Sequence, residues 1–214
     1  MNAPMGLRER KKQRTRQTIS DTAITLFLEH GFDQVSVVDI AAAAEVSKPT
    51  LFKYFPTKED LVVHRFADHQ TVSGTVVAER PPGTSAIDAL HQHFLSGLAA
   101  RDPITGLNDD EDVLAFHSLV HSTPSLVARV SEYLAHAEEA LARALVDALD
   151  SNREITAALL AGQVIATERI LASMNWQRIV AGRSADEVCP EAVADADHAF
   201  ALLRHGLAGV VPPK

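Results

Sequence analysis

Residues 36–58 read SVVDIAAAAEVSKPTLFKYFPTK, and this stretch decides the fold. Ser36 is a favourable N-cap, and Asp39 stands three residues later in the capping-box position. The spacing therefore predicts a short helix from Val37 to about Glu45, whose run of alanines lets a neighbouring helix approach closely.

A second short helix follows in the same stretch after a tight turn. Ser47 provides its cap, and Pro49 is tolerated because the first helical turn needs no intrahelical donor. Pro56 ends this helix, and Thr57 opens a further one with another cap. Two short helices joined in this way predict a helix-turn-helix, which lays its second helix in the major groove of DNA.

The segments around this motif predict more helices and no strand. We expect a disordered basic arm over residues 1–11, then a helix from about Lys12 to Gly31. The fourth helix is expected to continue from the Thr57 cap to about Val77. Further helices are predicted at about 85–100, 110–121, 124–149, 153–181 and 190–208. The fold class is therefore all-α with about nine helices, in which a three-helix domain of residues 12–60 precedes a larger helical domain of residues 61–214.

The charge of the chain is divided between its two ends. The net charge is -8, yet residues 1–66 hold ten Lys/Arg and eight Asp/Glu, a net of +2. Residues 67–214 hold ten Lys/Arg and twenty Asp/Glu, a net of -10. A basic end that attracts phosphates thus precedes an acidic body that repels them.

Several classes of protein are excluded by what the sequence lacks. Cys189 is the one cysteine, so no intrachain disulfide can form, and a reduced, cytoplasmic setting is expected. No apolar h-region follows the basic start, and we expect no membrane-spanning segment. The sequence shows no nucleophile elbow, phosphate loop or metal-spaced cluster, so we expect neither an enzyme nor a bound cofactor.

The last two long helices each carry a stripe that suits close helix packing. We expect them to form a four-helix interface with a second copy of the chain, giving a homodimer. The alternative is that both stripes pack in the core of a single chain. The stripes consist of Ala157, Ala158, Ala161 and Gly162 in one helix and of Val193, Ala196, Phe200, Leu203 and Leu207 in the other.

The first 65 or so residues resemble the tetracycline-repressor (TetR) family of bacterial transcriptional regulators. The similarity lies in an ordered set of short matches from Ala23 to Leu61, with Val46-Ser47 and Pro49-Thr50-Leu51-Phe52-Lys53-Tyr54-Phe55 at its centre. It covers about a third of the chain. This resemblance implies a dimeric regulator, with a ligand domain after the DNA-binding domain, that leaves a palindromic operator when a small molecule binds.

Contacts to double-stranded DNA are expected from three groups of residues. Base readout is assigned to the start of the second short helix, and the resemblance adds Pro49 to it. Arg14 and Arg16 of the basic segment could follow the backbone or enter the minor groove, or they belong to a tail without DNA contact. The assigned readers are Lys48, Pro49, Thr50 and Lys53, and the phosphate contacts are Ser36, Tyr54 and Lys58, with Val37 and Ser47 on the same surface.

Two positions depart from the pattern of the family. Phe52 stands where the family often has a tyrosine whose hydroxyl binds a phosphate, so we expect Phe52 to pack instead. Val37 stands where a threonine or another polar residue is common, which removes a possible phosphate contact. Phosphate binding is therefore expected to depend more on Ser36, Tyr54, Lys58 and the basic segment.

A ligand pocket is expected among bulky or polar side chains of the larger domain, and a place in the core or on the surface is the favoured alternative for each of them taken singly. His117 and His121 have a spacing that could bind a metal, but no third ligand accompanies them, and we expect no metal site. An effector-independent regulator remains the alternative to a ligand-released repressor. The pocket candidates are His91, Phe94, Phe116, His117, Tyr133, Gln163, Thr167 and Trp176.

Overall fold

The computed structural model describes residues 6–148 and 154–206, and within them every regular element is a helix. This confirms the predicted all-α class. Two short 3-10 segments, His64–His69 and Pro103–Thr105, lie between α-helices. The α-helices are α1 Leu7–His30, α2 Val37–Ala43, α3 Lys48–Tyr54, α4 Asp60–Val63, α5 Val72–Ala78, α6 Ala86–Ala99, α7 Glu111–Ser122, α8 Pro124–Ala148, α9 Glu154–Val180 and α10 Ala185–His205.

Helix α1 begins earlier than predicted. Residues 7–11, which we expected to be part of a disordered arm, form its first turn and a half, because leucine, arginine, glutamate and lysine are good helix formers. Residues 1–5 of the predicted arm lie outside the described residues. The basic residues from Arg8 to Arg16 are therefore held along a helix.

The prediction of one long fourth helix is wrong. The segment is divided into α4, the 3-10 segment His64–His69 and α5, which also raises the number of α-helices above the predicted nine. The hydroxyl of Ser20 donates to the carbonyl of Leu61 at 2.7 Å. In a continued α-helix that carbonyl would accept from the backbone N–H of Arg65. The Ser20 hydroxyl therefore competes with the backbone for this carbonyl at the point where α4 ends.

Helix α10 also begins before the predicted residue 190. Ser184 and Glu187 form a capping box, in which each side chain bonds to the backbone N–H of the other residue. Pro190 lies inside the helix rather than at its start. The capping box at Ser184, six residues before Pro190, sets the beginning of α10.

The chain divides into two compact units, which we call the head and the body. The head contains residues up to Ala67 together with Ala115–Ser131, and the body contains Asp68–Leu114 and the residues from Glu132 onward. The predicted functional boundary between residues 60 and 61 stays a prediction. The head core consists of fully buried side chains that include Ile19, Phe27, Ile40, Leu51, Phe55, Leu61 and Leu126.

The body has its own apolar core, which contains several of the residues that we predicted for the dimer interface. Ala157 and Ala161 of α9 and Ala196 and Phe200 of α10 have no exposed surface and pack in this core. For these residues the structure therefore favours the alternative of packing within one chain.

Helix α9 is the one described helix long and apolar enough, by length and composition, to cross a bilayer, which the sequence analysis did not expect. Seven of its residues are buried within the protein, which explains the apolar composition of one of its faces. Its charged pair Glu168-Arg169 lies within the helix. Length and apolar composition are thus weak evidence that this one helix spans a membrane.

Candidate nucleic-acid interface

The first helix of the predicted motif, α2, is fixed at its start by a complete capping box. Ser36 Oγ accepts from the N–H of Asp39 at 3.2 Å, and Asp39 Oδ2 accepts from the N–H of Ser36 at 3.0 Å. The Ser36 hydroxyl also donates to Asp39 Oδ2 at 2.6 Å. These bonds from Ser36 lower the pKa of the Asp39 carboxyl, because they stabilise its ionised form.

The turn between α2 and α3 depends on a residue in the left-handed region. Glu45 has a φ of 54°. This conformation lets the N–H of Val46 donate to the carbonyl of Ala41 at 2.9 Å, and the N–H of Glu45 itself donates to Ala42 at 3.1 Å. The chain therefore reverses within three residues and presents Ser47 as the cap of α3.

Helix α3 is anchored on one side and exposed on the other. Ser47 Oγ accepts from the N–H of Thr50 at 3.2 Å, and its hydroxyl lies 2.8 Å from Thr50 Oγ1. Leu51 and Phe55 are fully buried and hold the helix against the head core. The side chains at the start of α3 on the opposite side are therefore free to meet another molecule.

Among the residues assigned to base readout, Lys48, Pro49 and Lys53 are exposed on α3. Thr50 is half-buried, and its hydroxyl is paired with Ser47, so its methyl group is the part that remains for an apolar contact. Donor groups and methyl groups of this kind match the edges of bases in the major groove. The exposed face of α3 is thus chemically suited to DNA.

Phe52 is more exposed than the prediction of a packing role implies. Its relative exposure is 39%, and it lies on the same side of α3 as Lys48, whose Nζ is 5.9 Å from the centre of the ring. The ring therefore adds an apolar surface to the exposed face of the helix. Phe52 thus joins the candidate contact residues that the sequence analysis missed.

The residues assigned to phosphate binding differ in how free they are. The Ser36 hydroxyl is engaged with Asp39, and Tyr54 is half-buried. Lys58 donates from Nζ to the carbonyl of Phe32, and this nitrogen lies 4.3 Å from the centre of the Phe32 ring. Lys58 therefore helps to hold the end of α1 in place, whatever it does at a DNA surface.

Arg14 and Arg16 are exposed on α1 in the head. The guanidinium carbon of Arg16 lies 5.4 Å from the centre of the Phe55 ring, so this side chain is directed toward the end of α3. Arg14 lines a shallow cleft between α1 and the turn that contains Glu45 and Val46. Both residues are thus positioned by the helix-turn-helix rather than by a loose tail.

A buried ion pair holds α4 to the start of α8 within the head. Arg129 donates to Asp60 Oδ1 from Nε at 2.9 Å and from Nη2 at 2.8 Å. The second carboxylate oxygen of Asp60 accepts from the N–H of Thr57 at 3.0 Å, and the Thr57 hydroxyl accepts from the N–H of Asp60. The carboxylate of Asp60 is therefore satisfied on both oxygens.

The predicted pocket residues do not form one cluster within a single unit. Phe116 and His117 belong to the head, whereas the other six belong to the body. In the body, His91 and Phe94 are buried beside Phe200, while Gln163 is exposed. Tyr133, Thr167 and Trp176 are partly buried, and their role in ligand binding stays a prediction.

His91 belongs to a polar network between α6 and α10. Its Nε2 lies 2.9 Å from Asp197, and its Nδ1 lies 2.9 Å from the guanidinium of Arg204, which also donates to Asp88 at 2.7 Å. The imidazole ring stacks on Phe200 at 4.8 Å. These contacts give His91 a structural role in joining the two helices.

The two histidines considered as metal ligands lie near each other in the head, with their rings 6.2 Å apart. Burial and the neighbouring His121 lower the pKa of His117 to about 4, so His117 is neutral at physiological pH. Among the described residues, no three His, Cys, Asp or Glu side chains are grouped as a metal site requires.

One polar residue that the sequence analysis did not select is Glu168 of α9. Burial raises the pKa of its carboxyl to about 7. The signal was present in the sequence, since Glu168 continues the spacing of Ala157, Ala161 and Val164. A carboxyl on the core-facing side of an apolar helix is a candidate for function.

Comparisons with known proteins match this architecture. Residues 19–64 match the profile of the family described as bacterial regulatory proteins, tetR family. The chain is 34% identical over 139 residues to the HTH-type transcriptional regulator TcmR of Streptomyces glaucescens, a match that covers 64% of this chain and 60% of TcmR. The chain thus spans less than two thirds of the length of that relative.

Two solved structures share the fold. NalD, the secondary repressor of the MexAB-OprM multidrug efflux pump in Pseudomonas aeruginosa, is 16% identical with a TM-score of 0.57, covering 87% of this chain and 97% of NalD. The transcriptional regulator FadR of Bacillus subtilis, solved in complex with stearoyl-CoA, is 18% identical with a TM-score of 0.53, covering 89% and 98% of the two chains.

Proposed function

We propose that this chain, whose residues 19–64 match the profile of the tetR family of bacterial regulatory proteins, is a DNA-binding transcriptional regulator of that family and, more specifically, a repressor. The observation that carries this proposal is the capped helix-turn-helix with an exposed face of Lys48, Pro49, Phe52 and Lys53. A face that combines amino groups with apolar surface suits base edges and thymine methyl groups.

The charge of the head supports double-stranded DNA as its partner. Arg14 and Arg16 extend the basic surface from α3 onto α1, and each phosphate that such residues neutralise steepens the dependence of log K on log salt by about 0.9. A cytoplasmic location agrees with this partner. TcmR and NalD, which are named as a transcriptional regulator and a repressor, favour a regulator over an enzyme.

The chain is proposed to act as a homodimer through α9, with α10 beside it. The alanine stripe of α9 is buried in the body, but the opposite side of the helix exposes large apolar residues. Ile155 is 71% exposed, Leu159 58% and Ile170 49%, and they recur on one side of the helix. A second copy that covers this face would remove it from water and would present two α3 helices to a palindromic operator about one turn of DNA apart, roughly 34–36 Å.

The body is proposed to bind a small-molecule effector that releases the DNA. FadR of the same fold was solved with stearoyl-CoA, which supports a ligand-binding role for the body. Effector binding and DNA binding must then weaken each other by the same factor. An effector-independent regulator is the second candidate, and a body to which no small molecule binds would favour it.

The proposal is tested by selecting binding sites from a random duplex library and measuring gel shifts on the selected duplex. A palindromic site bound by one dimer at low salt is the expected result. The absence of any shift at low salt, with a folded dimer established by sedimentation and circular dichroism, would refute the proposed function.

A further inference from the structure

Glu168 occupies an unusual place in the body. The core-facing side of α9 runs through Ala157, Ala161, Val164, Leu171 and Asn175, all of them buried, and Glu168 lies in the middle of this stripe. Glu168 itself keeps part of its surface uncovered. Glu168 therefore lies on the core-facing side of α9 without being fully covered by the packing.

The contacts of Glu168 do not account for its position. The carboxyl is hydrogen-bonded to the Ser73 side chain of α5, and within the described residues no arginine, lysine or histidine forms an ion pair with it. The sequence contains no lysine between Lys58 and Lys214. Burial in these surroundings raises the pKa of the Glu168 carboxyl to about 7.

Asn175, the other polar residue of the stripe, has a clear structural role. Its Nδ2 donates to the carbonyl of Thr105 at 3.0 Å and holds the turn at Pro103–Thr105 against α9. Gly106 follows that turn with a φ of 70°, and a Cβ there would lie 2.0 Å from the carbonyl oxygen of Ala172. Asn175 thus fixes a close approach of two segments, whereas the bond with Ser73 joins Glu168 to α5 and leaves the carboxylate without a cation.

A carboxyl kept on an apolar helix face without a cation costs free energy in the empty protein. A carboxyl in such surroundings is a candidate for binding a ligand that supplies the missing partner. Residues 68–114 and 132–214 hold nine Lys/Arg and twenty Asp/Glu, a net of -11, so the field of the body attracts cations and repels anions. A cationic ligand is therefore favoured over an anionic one.

We propose that Glu168 is the anchor of the effector site of the body, where it binds the protonated amino group of an otherwise apolar small molecule, with Ser73 orienting the carboxylate. This inference rests on the proposed function only in calling the ligand an effector. The ammonium group donates hydrogen bonds to the carboxylate, and the apolar remainder of the ligand packs against neighbouring side chains of the stripe.

The test uses matched sets of small molecules that differ in one group: benzylamine, benzyl alcohol and benzoate, and 4-phenylbutylamine, 4-phenylbutanol and 4-phenylbutyrate. Thermal shifts at pH 7.5 compare the full-length wild type with Glu168→Gln. The amines are expected to raise the melting temperature of the wild type more than the alcohols and acids do. The affinity for the amines is expected to fall about tenfold or more in Glu168→Gln, as for the loss of a charged hydrogen bond.

Glu139→Gln is the matched control, because Glu139 is an exposed glutamate on α8 and its loss removes the same charge. Ser73→Ala is a second variant, and its affinity for the amines is expected to lie between those of the wild type and Glu168→Gln. Equal shifts for amines, alcohols and acids, or an amine preference that survives in Glu168→Gln, would overturn the proposal.

Gel shifts with the selected duplex separate this inference from the proposed function. Glu168→Gln is expected to bind DNA as the wild type does, since Glu168 lies in the body and not in the head. If the wild type binds no duplex, the proposed function fails, while the amine comparison still decides whether Glu168 anchors a cationic ligand.

Discussion

Arg129→Ala is expected to destabilise the head, because it removes the partner of a buried carboxylate. Asp60 has 4% of its side chain exposed and receives two hydrogen bonds from the Arg129 guanidinium, at 2.8 and 2.9 Å. The alanine variant leaves Asp60 with the single bond from the N–H of Thr57. Water reaches the vacated side only in part, so the charge stays poorly solvated.

The expected magnitude lies between those of buried and surface ion pairs. Removing one member of a fully buried pair costs about 3–5 kcal/mol, whereas an exposed pair contributes about 0–1 kcal/mol. The Arg129 side chain is 31% exposed, which allows some hydration of Asp60 after the change. We therefore expect the free energy of unfolding of the head to fall by about 2 kcal/mol. For an m-value of about 2 kcal/mol/M, this corresponds to a urea midpoint lower by about 1 M.

The assay has to report on the head, since the single tryptophan, Trp176, lies in the body. Native-state hydrogen exchange of the amides of Asp60–Val63 in increasing urea measures the stability of α4 directly. Arg143→Ala is the control, because Arg143 is an exposed arginine further along α8. If the free energies of opening of α4 in Arg129→Ala and Arg143→Ala differ by less than about 0.5 kcal/mol, the ion pair does not stabilise the head.

Three further predictions concern other parts of the molecule. Ile170→Asp places a charge on the exposed apolar face of α9 and is expected to yield monomers in sedimentation equilibrium, whereas Val38→Asp, in the head, should leave the dimer intact; a dimeric Ile170→Asp protein would contradict the assigned interface. Phe52→Ala should weaken operator binding in gel shifts, and replacing a contacted thymine with deoxyuridine should remove most of that difference; an equal loss on every duplex would argue against a methyl contact. The pKa of His117 is lowered to about 4 in the folded protein, so the unfolded chain binds more protons between about pH 6.5 and 4, and stability is lost as the pH falls through this window. The melting temperature of His117→Gln should therefore fall less than that of the wild type between pH 7 and 4.5, and equal slopes would refute the assignment.

The helix-turn-helix was predictable because its determinants are local. The bonds of Ser36 with Asp39 and of Ser47 with Thr50 span three residues each, so the sequence displays them directly. The break after α4 was not predictable in this way. It coincides with a bond from Ser20 to Leu61, and only the fold brings these residues together.

The functional faces of single helices were harder to assign. Helix α9 is apolar on two sides, and the sequence does not say which side faces the core of its own chain. The prediction chose the alanine stripe for the dimer, whereas the side with Ile170 is the exposed one. Phe52 was assigned to packing for a similar reason, since a phenylalanine is usually buried, and its exposure is fixed by the anchoring of α3 through Leu51 and Phe55.

The central claim, that the exposed face of α3 reads DNA sequence, is tested most directly by titrating the wild type and Lys48→Ala on two duplexes. One duplex is the selected operator, and the other is a scrambled sequence of equal length and composition, both at the same salt concentration. We predict that Lys48→Ala loses about 1–3 kcal/mol on the operator and much less on the scrambled duplex. An equal loss on both duplexes, or none on either, would contradict sequence readout by α3.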